Sequence, residues 1–156
     1  ACCYRGRRRP RGGCPNVRDY GHGTGHGVGY FLNVHEGPQS IAVAAVPQPH
    51  HAMKSGMLTS NEPGLYRPGK WGIRIESLVI NRPVENPEET EFGKFLYFET
   101  VTLCPIDTRL IDTKLMTGSE IEWLNQYHAE VRRRLEPLTE GAAKAWLIER
   151  TEPLAR

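Results

Sequence analysis

The sequence predicts an α+β fold, in which antiparallel strands come first and two helices follow. Three observations carry this prediction. Residues 71–81 alternate apolar and polar side chains, and residues 95–103 are rich in aromatic and β-branched ones, as strands are. Glycine- and proline-rich turns separate these segments. From residue 119 onward, apolar residues instead recur every three or four positions, as in an amphipathic helix.

The composition is that of a globular protein. The chain has 156 residues, of which 38% are hydrophobic and 24% charged. No apolar run approaches the roughly 20 residues of a membrane-spanning helix, so we expect no membrane partner. Four cysteines are too few and too unevenly placed for a disulfide framework, which favours a reducing, cytoplasmic setting. Cys104 stands in an apolar run, and we expect it to be a reduced core residue.

The first 18 residues differ from the rest of the chain. They hold six arginines and no acidic residue, and the remainder has 14 basic residues against 18 acidic ones. We expect residues 1–18 to be a disordered or artefactual leader; an electrostatic tail and a cysteine metal site are the alternatives. Nucleic acid is not the partner we expect, and DNA affinity that vanished on deletion of this leader would show otherwise.

A glycine- and histidine-rich stretch, residues 21–38, comes next and is followed by a strand-sized apolar run over residues 41–46. The turn signal Pro63-Gly64 predicts that Glu62 ends a strand. A second turn, residues 67–70, leads into the predicted strand Trp71–Asn81, which places Glu76 on a strand. The proline- and glutamate-rich residues 82–91 predict an exposed loop before the strand at 95–103.

Two helices are predicted at the C-terminal end. Ser119 and Glu122 form the pattern of a capping box, and the periodic apolar residues end near Pro137. A shorter helix is expected around residues 141–150, with Trp146 and Leu147 on its buried side.

Four residues stand out as candidate ligands of a divalent metal ion: His26, His35, Glu62 and Glu76. Imidazole and carboxylate groups with an open position for water are what a hydrolytic metal site needs. Glycines on both sides of His26 allow close approach of the backbone. Spacing alone leaves purely structural roles equally open. The stretch carries no nucleotide-binding fingerprint, and His50, His51 and His128 are interpreted as structural.

Several motifs resemble those of the pita-bread metallopeptidases, and most closely the Xaa-Pro aminopeptidases (aminopeptidase P) of the long, three-domain cytosolic type. The motifs are GHGTGHGVG at 21–29, LNVHEGP at 32–38, SNEPGLY at 60–66, GIRIESLV at 72–79 and FETVTLCPID at 98–107, together with EWLNQYH at 122–128, AWLI at 145–148 and TEPL at 151–154. The resemblance covers about residues 19–154. It implies the C-terminal half of a pita-bread domain, with a partial catalytic domain at 19–118 and a helical extension at 119–156.

The resemblance implies a role for each site residue. His26 would bind one metal ion, Glu62 would bind the same ion and handle the proton of the attacking water, and Glu76 would bridge two ions. His22 and His35 would flank the substrate, and Arg74 would orient Glu76. The implied reaction is hydrolysis of the first peptide bond of a substrate with proline at its second position, by a metal-bridging hydroxide. The implied cofactor is a pair of divalent ions, typically manganese, and a homodimer is compatible with the family.

The sequence departs from the family pattern in one respect. The family's site also uses two aspartates on an earlier strand, whereas the aspartates here are Asp19, Asp107 and Asp112. We therefore expect at most one ion to be well held, a truncated gene product and no peptidase activity of the chain alone. The rival interpretations are a catalytically dead remnant that acts as an interaction partner, and another pita-bread enzyme of the methionine aminopeptidase or creatinase type.

Overall fold

The computed structural model describes residues 20–31, 33–42, 45, 48–85, 91 and 93–155. The predicted leader 1–18, half of the apolar run 41–46 and residues 86–90 of the loop 82–91 lie outside the described residues. The chain divides into two compact units, with the boundary between Thr102 and Leu103. Strands make up the first unit and helices the second, as the α+β prediction requires.

The described residues of the first unit form seven strands, all paired antiparallel. They are β1 (Gly25–His26), β2 (Ser40–Ile41), β3 (Leu58–Asn61), β4 (Gly64–Arg67), β5 (Trp71–Arg74), β6 (Ser77–Pro83) and β7 (Leu96–Thr100). Strand β1 pairs with β2, β4 pairs with β5, and β3, β6 and β7 form a sheet in that order. A turn at Pro68–Lys70 joins β4 to β5; Gly69 adopts a φ of 70° there, a conformation that glycine reaches at little cost.

The prediction of one strand over Trp71–Asn81 is wrong. Residues 71–74 pair with β4, whereas residues 77–83 pair with β3 and β7, so the chain changes partner at Ile75 and Glu76. Alternation of polarity cannot reveal this break, because the strands on both sides of it keep the same period of two. Glu76 consequently lies between two strands rather than on one, and it is exposed.

Buried residues of the strand unit are mainly polar. Thr24, Gln39, Thr59, Ser60 and Asn81 are buried together with Val79. Large apolar side chains such as Trp71, Ile73, Tyr97 and Phe98 remain about half exposed. The interior of this unit is therefore organised by hydrogen bonds as much as by apolar packing.

The second unit contains α1 (Gly118–Leu135) and α2 (Gly141–Arg150). Ile121, Leu124, His128 and Val131 are the buried residues of α1, which confirms the predicted apolar face. The cap is not the predicted one: Thr117 accepts a hydrogen bond from the Glu120 N–H, and the Glu120 side chain accepts one from the Thr117 N–H. The same Ser/Thr-x-x-Glu pattern thus occurs two residues earlier, where the helix begins.

Two further expectations for this unit are wrong. Leu147 is buried, but Trp146 is 50% exposed, because neighbouring positions on a helix point about 100° apart. Cys104 is exposed rather than in the core. Its backbone N–H and carbonyl both bond the Tyr127 hydroxyl, which holds this segment by its main chain.

His128 has the structural role predicted for it. The side chain is fully buried, and Nε2 accepts a hydrogen bond of 3.1 Å from the Ile106 N–H. Burial, and to a smaller extent the charge of Arg132, lowers the pKa of His128. Neither described helix has the length and apolarity of a bilayer-spanning segment.

Candidate metal centre

His26 lies on β1, where two flanking glycines bring the backbone unusually close to its neighbours. A Cβ atom at Gly25 would collide with the carbonyl oxygen of Ser60, and one at Gly27 would collide with the carbonyl oxygen of Glu36. Side chains larger than hydrogen are therefore excluded on both sides of His26. The glycines set β1 directly against the end of β3, which is where Glu62 follows.

Glu62 is brought to His26 by the backbone. Its N–H donates a 2.7 Å hydrogen bond to the carbonyl of Thr24, two residues before His26. His26 Nε2 then lies 2.9 Å from Glu62 Oε1, and the two side chains are only 20% and 12% exposed. Residues 36 positions apart in sequence thus form one nitrogen and oxygen donor pair.

The hydrogen bond of the other ring nitrogen, Nδ1, indicates which nitrogen of His26 carries a proton. Nδ1 lies 2.8 Å from the carbonyl oxygen of Gly27, and a carbonyl oxygen can only accept, so Nδ1 carries the proton. In a neutral ring, Nε2 then presents its lone pair to the Glu62 carboxylate. Two electron-rich atoms 2.9 Å apart need a proton or a cation between them. Donation of Nδ1–H to a carbonyl is also the usual arrangement of a histidine that binds a metal through Nε2.

Arg74 lies between the two carboxylates. Its guanidinium is 3.6 Å from Glu62 Oε2 and 3.6 Å from Glu76 Oε2. The Arg74 guanidinium thus links Glu76 to Glu62, and Glu76 does not contact the His26–Glu62 pair directly. Among the described residues, no cluster of three or more histidine, cysteine, aspartate or glutamate side chains is arranged to hold a metal ion.

The two other histidines of the stretch contact different rings. The ring of His35 is 4.1 Å from that of His26, centroid to centroid. His22 instead lies 5.5 Å from the ring of Tyr66, whose hydroxyl accepts a 3.2 Å hydrogen bond from Arg74. Both histidines are exposed, so both are accessible to a ligand.

Sequence reasoning missed Ser60 and Tyr66 as members of this site. Ser60 is fully buried, and its hydroxyl contacts both the backbone of His26 and the carboxylate of Glu62. Tyr66 covers Gly64 and Gly72 and reaches Arg74. The signal available for Ser60 was its position two residues before Glu62, since alternate residues of an extended chain share a face.

Two family models match the chain in succession. The model described as "Metallopeptidase family M24" matches residues 7–82, and the model described as "C-terminal region of peptidase_M24" matches residues 94–154. Together they include every residue of the candidate site.

Curated relatives support the same grouping. The chain is 50% identical over 138 residues to the Coprinopsis cinerea protein named "Probable Xaa-Pro aminopeptidase P" and 47% identical over 139 residues to "Aminopeptidase P2" of Arabidopsis thaliana. These alignments cover 87% and 88% of this chain but 22% and 19% of the relatives. The chain therefore spans about a fifth of the length of the relatives it matches.

A solved structure of similar fold is the X-prolyl aminopeptidase of Caenorhabditis elegans, described as a cytosolic enzyme with a di-nuclear active site. The similarity has a TM-score of 0.72 and 37% sequence identity, over 85% of this chain and 21% of the other. It confirms the prediction of the C-terminal part of a pita-bread fold, with antiparallel strands followed by two helices.

Proposed function

Because the chain belongs to metallopeptidase family M24, we propose that it supplies one wall of the metal centre of an Xaa-Pro aminopeptidase. In this proposal the substrate is a peptide with proline at its second position, and the bond cleaved is the one before proline. The identity of 44% to 50% with several aminopeptidases P supports this substrate class over those of other pita-bread enzymes.

The observation that carries the proposal is the His26–Glu62 pair. An imidazole nitrogen and a carboxylate oxygen, 2.9 Å apart and mostly shielded from water, are donors of the type that suits a divalent ion. The type of donor therefore fits a metal, although the described residues bring together two donors and not three. A divalent ion bound there would polarise a peptide carbonyl and lower the pKa of a bound water. By resemblance, that ion is manganese and one of two.

The roles proposed for the surrounding residues come from the family resemblance, and their positions support them. Glu62 holds Oε1 toward His26 and is the group that would accept the proton of the attacking water. Glu76 is proposed as a further ligand, which Arg74 orients through its contact with both carboxylates. His35, beside His26, and His22, beside Tyr66, would contact the substrate on the two sides of the scissile bond.

The remaining parts of the proposal concern organisation and setting. Residues 19–118 would be part of the catalytic domain, and residues 119–156 would be a C-terminal helical extension. A cytosolic location is proposed because the C. elegans enzyme is described as cytosolic. A homodimer, and residues 1–18 as an atypical arginine-rich leader, complete the proposal.

A graft would test the activity. Residues 20–155 replace the matching fifth of the C. elegans enzyme, and release of the N-terminal residue from an Xaa-Pro peptide is measured with Mn²⁺. We expect activity in the graft, and a loss of roughly 10²-fold or more in kcat/KM after Glu62→Gln. The matched control is Glu36→Gln, whose carboxylate bonds Asn33 instead. Equal activity of the graft and its Glu62→Gln variant would contradict the proposal.

One observation favours a second candidate, an interaction partner without activity: the lack of a three-donor cluster among the described residues. The chain by itself, assayed with Mn²⁺ on the same peptide, is expected to show no turnover in either case. Elemental analysis of the purified graft separates the two. Two ions per chain, of which His26→Ala loses at least the one that His26 holds, support the enzyme. A metal content that His26→Ala leaves unchanged supports the second candidate.

A further inference from the structure

Ser60 is hydrogen-bonded to both His26 and Glu62, although it is not one of the proposed metal ligands. It lies on β3, and its side chain is 0% exposed. The hydroxyl oxygen accepts a 3.0 Å hydrogen bond from the His26 N–H. The same hydroxyl donates a 3.1 Å hydrogen bond to Glu62 Oε1, the oxygen that faces His26 Nε2.

The chemistry of the two partners fixes the donor and acceptor roles of the Ser60 hydroxyl. A serine hydroxyl has one hydrogen to donate, and a carboxylate can only accept. Since the His26 N–H needs an acceptor, the hydrogen of Ser60 must point at Glu62. Hydrogen bonds of this kind, to a charged group in a buried place, are stronger than neutral exposed ones.

We propose that Ser60 is a positioning residue of the metal centre, which fixes Glu62 Oε1 and the backbone of His26 relative to each other. The inference rests on the proposed function, because it concerns how that site is held. Groups that orient metal ligands typically change metal affinity by 10- to 100-fold when removed. Ser60 acts through Glu62 and His26 and contacts no ion itself.

Thr59 provides a matched control for a merely structural role. It is the neighbour of Ser60 on β3 and is equally buried, at 0% exposure. Its hydroxyl accepts a 3.2 Å hydrogen bond from Gln39 Nε2 and points to the opposite face of the strand. Loss of the Thr59 hydroxyl therefore removes a buried hydrogen bond of β3 without touching the pair.

The test measures the affinity of the full chain for Mn²⁺ by calorimetric titration. The variants are Ser60→Ala, Ser60→Thr, Thr59→Val and Glu62→Gln. We expect Ser60→Ala to weaken Mn²⁺ binding by about 10-fold or more. Thr59→Val should change it less than about threefold, and Ser60→Thr, which keeps the hydroxyl, should restore most of the loss. Among Ser60→Ala, Ser60→Thr and Thr59→Val, only Ser60→Ala should accelerate hydrogen exchange of the His26 amide.

The outcomes separate this inference from the proposed function. If Glu62→Gln abolishes Mn²⁺ binding while Ser60→Ala matches the unaltered chain, or while Thr59→Val loses as much as Ser60→Ala, the role of Ser60 is refuted and the metal site stands. If the unaltered chain binds no Mn²⁺, or Glu62→Gln changes nothing, the metal proposal fails and this inference with it. Thermal unfolding establishes that each variant folds. Should Ser60→Ala not fold, Ser60→Cys, a side chain of similar size and a weak donor, takes its place in the comparison.

Discussion

Replacement of Gly25 by alanine should separate the strand that carries His26 from the strand that precedes Glu62. The new Cβ would overlap the carbonyl oxygen of Ser60, a backbone atom that no side-chain rotation can move away. A carbon and an oxygen in contact normally stay about 3.3 Å apart or more, so β1 must withdraw.

The size of the effect follows from what the withdrawal breaks. Overpacking at a close contact costs about 1–3 kcal/mol. Two hydrogen bonds cross this contact, from the His26 N–H to the Ser60 hydroxyl at 3.0 Å and from the Glu62 N–H to the Thr24 carbonyl at 2.7 Å. Weakening one of them adds about 1 kcal/mol. We therefore expect Gly25→Ala to lower the local stability of the strand unit by about 2–4 kcal/mol.

The measurement is hydrogen–deuterium exchange of segments 20–42 and 58–83, which reports the free energy of opening of this unit by itself. Two other glycines of the same stretch serve as a graded control. At Gly21 a Cβ meets nothing within 4 Å, and alanine there should change the stability by less than about 0.5 kcal/mol. At Gly29 the Cβ would overlap the movable carboxylate of Glu36 and would lie 2.9 Å from the backbone carbonyl oxygen of Asn33. That backbone contact is less severe than the one at Gly25, so the cost should fall between the other two. An effect at Gly25 no larger than at Gly21 would refute the steric reasoning.

Three further predictions concern the helical unit. Thr117→Ala should lower the free energy of unfolding in urea by about 1 kcal/mol because it removes the cap of α1, whereas Ser119→Ala should lower it by about a few tenths of a kcal/mol. A larger loss for Ser119→Ala than for Thr117→Ala would show that Ser119 is the cap, as expected from sequence. Val131→Ala, at a side chain with no exposure, should cost about 2–3 kcal/mol by the same measurement, against less than about 0.5 kcal/mol for Leu138→Ala, which is 80% exposed. Burial lowers the pKa of His128 in the folded chain, so below the ordinary histidine pKa of 6.5 the unfolded chain binds the proton more readily. The stability of this unit should therefore decline as the pH falls from about 7 through 6, and His128→Gln should flatten that decline in thermal unfolding; an unchanged slope would show that other groups cause it.

Local features of the fold could be predicted well from sequence. The apolar period of residues 121–131 depends on neighbours three and four positions away, and the structure confirms it at Ile121, Leu124 and Val131. The turn at 67–70 was equally local, since its glycine and proline encode their own backbone preference. Where two local patterns compete, as Thr117 and Ser119 do for the cap, sequence does not decide between them.

Sequence reasoning failed where the structure depends on which segments of the chain pair with each other. The break at Ile75–Glu76 arises because β5 pairs with β4 and β6 pairs with β3, and neither pairing leaves a mark on residues 75 and 76 themselves. Cys104 is exposed for a similar reason: its main chain is held by Tyr127, 23 residues later. Apolar neighbours in sequence indicate a preference for burial, but the tertiary contacts decide which side chain turns inward.

The sequence by itself determined the order of strands and helices and the residue types that can hold a metal. Motif resemblance selected His26, Glu62 and Glu76 and the histidines beside them. Only the tertiary structure decided that His26 and Glu62 lie 2.9 Å apart, that Arg74 links Glu76 to Glu62, and that Ser60 is hydrogen-bonded to Glu62. The physical reason is range. Periodicity and turn chemistry act between neighbours, whereas this site is closed by hydrogen bonds across more than 30 residues, which the glycines beside His26 permit by their lack of a side chain.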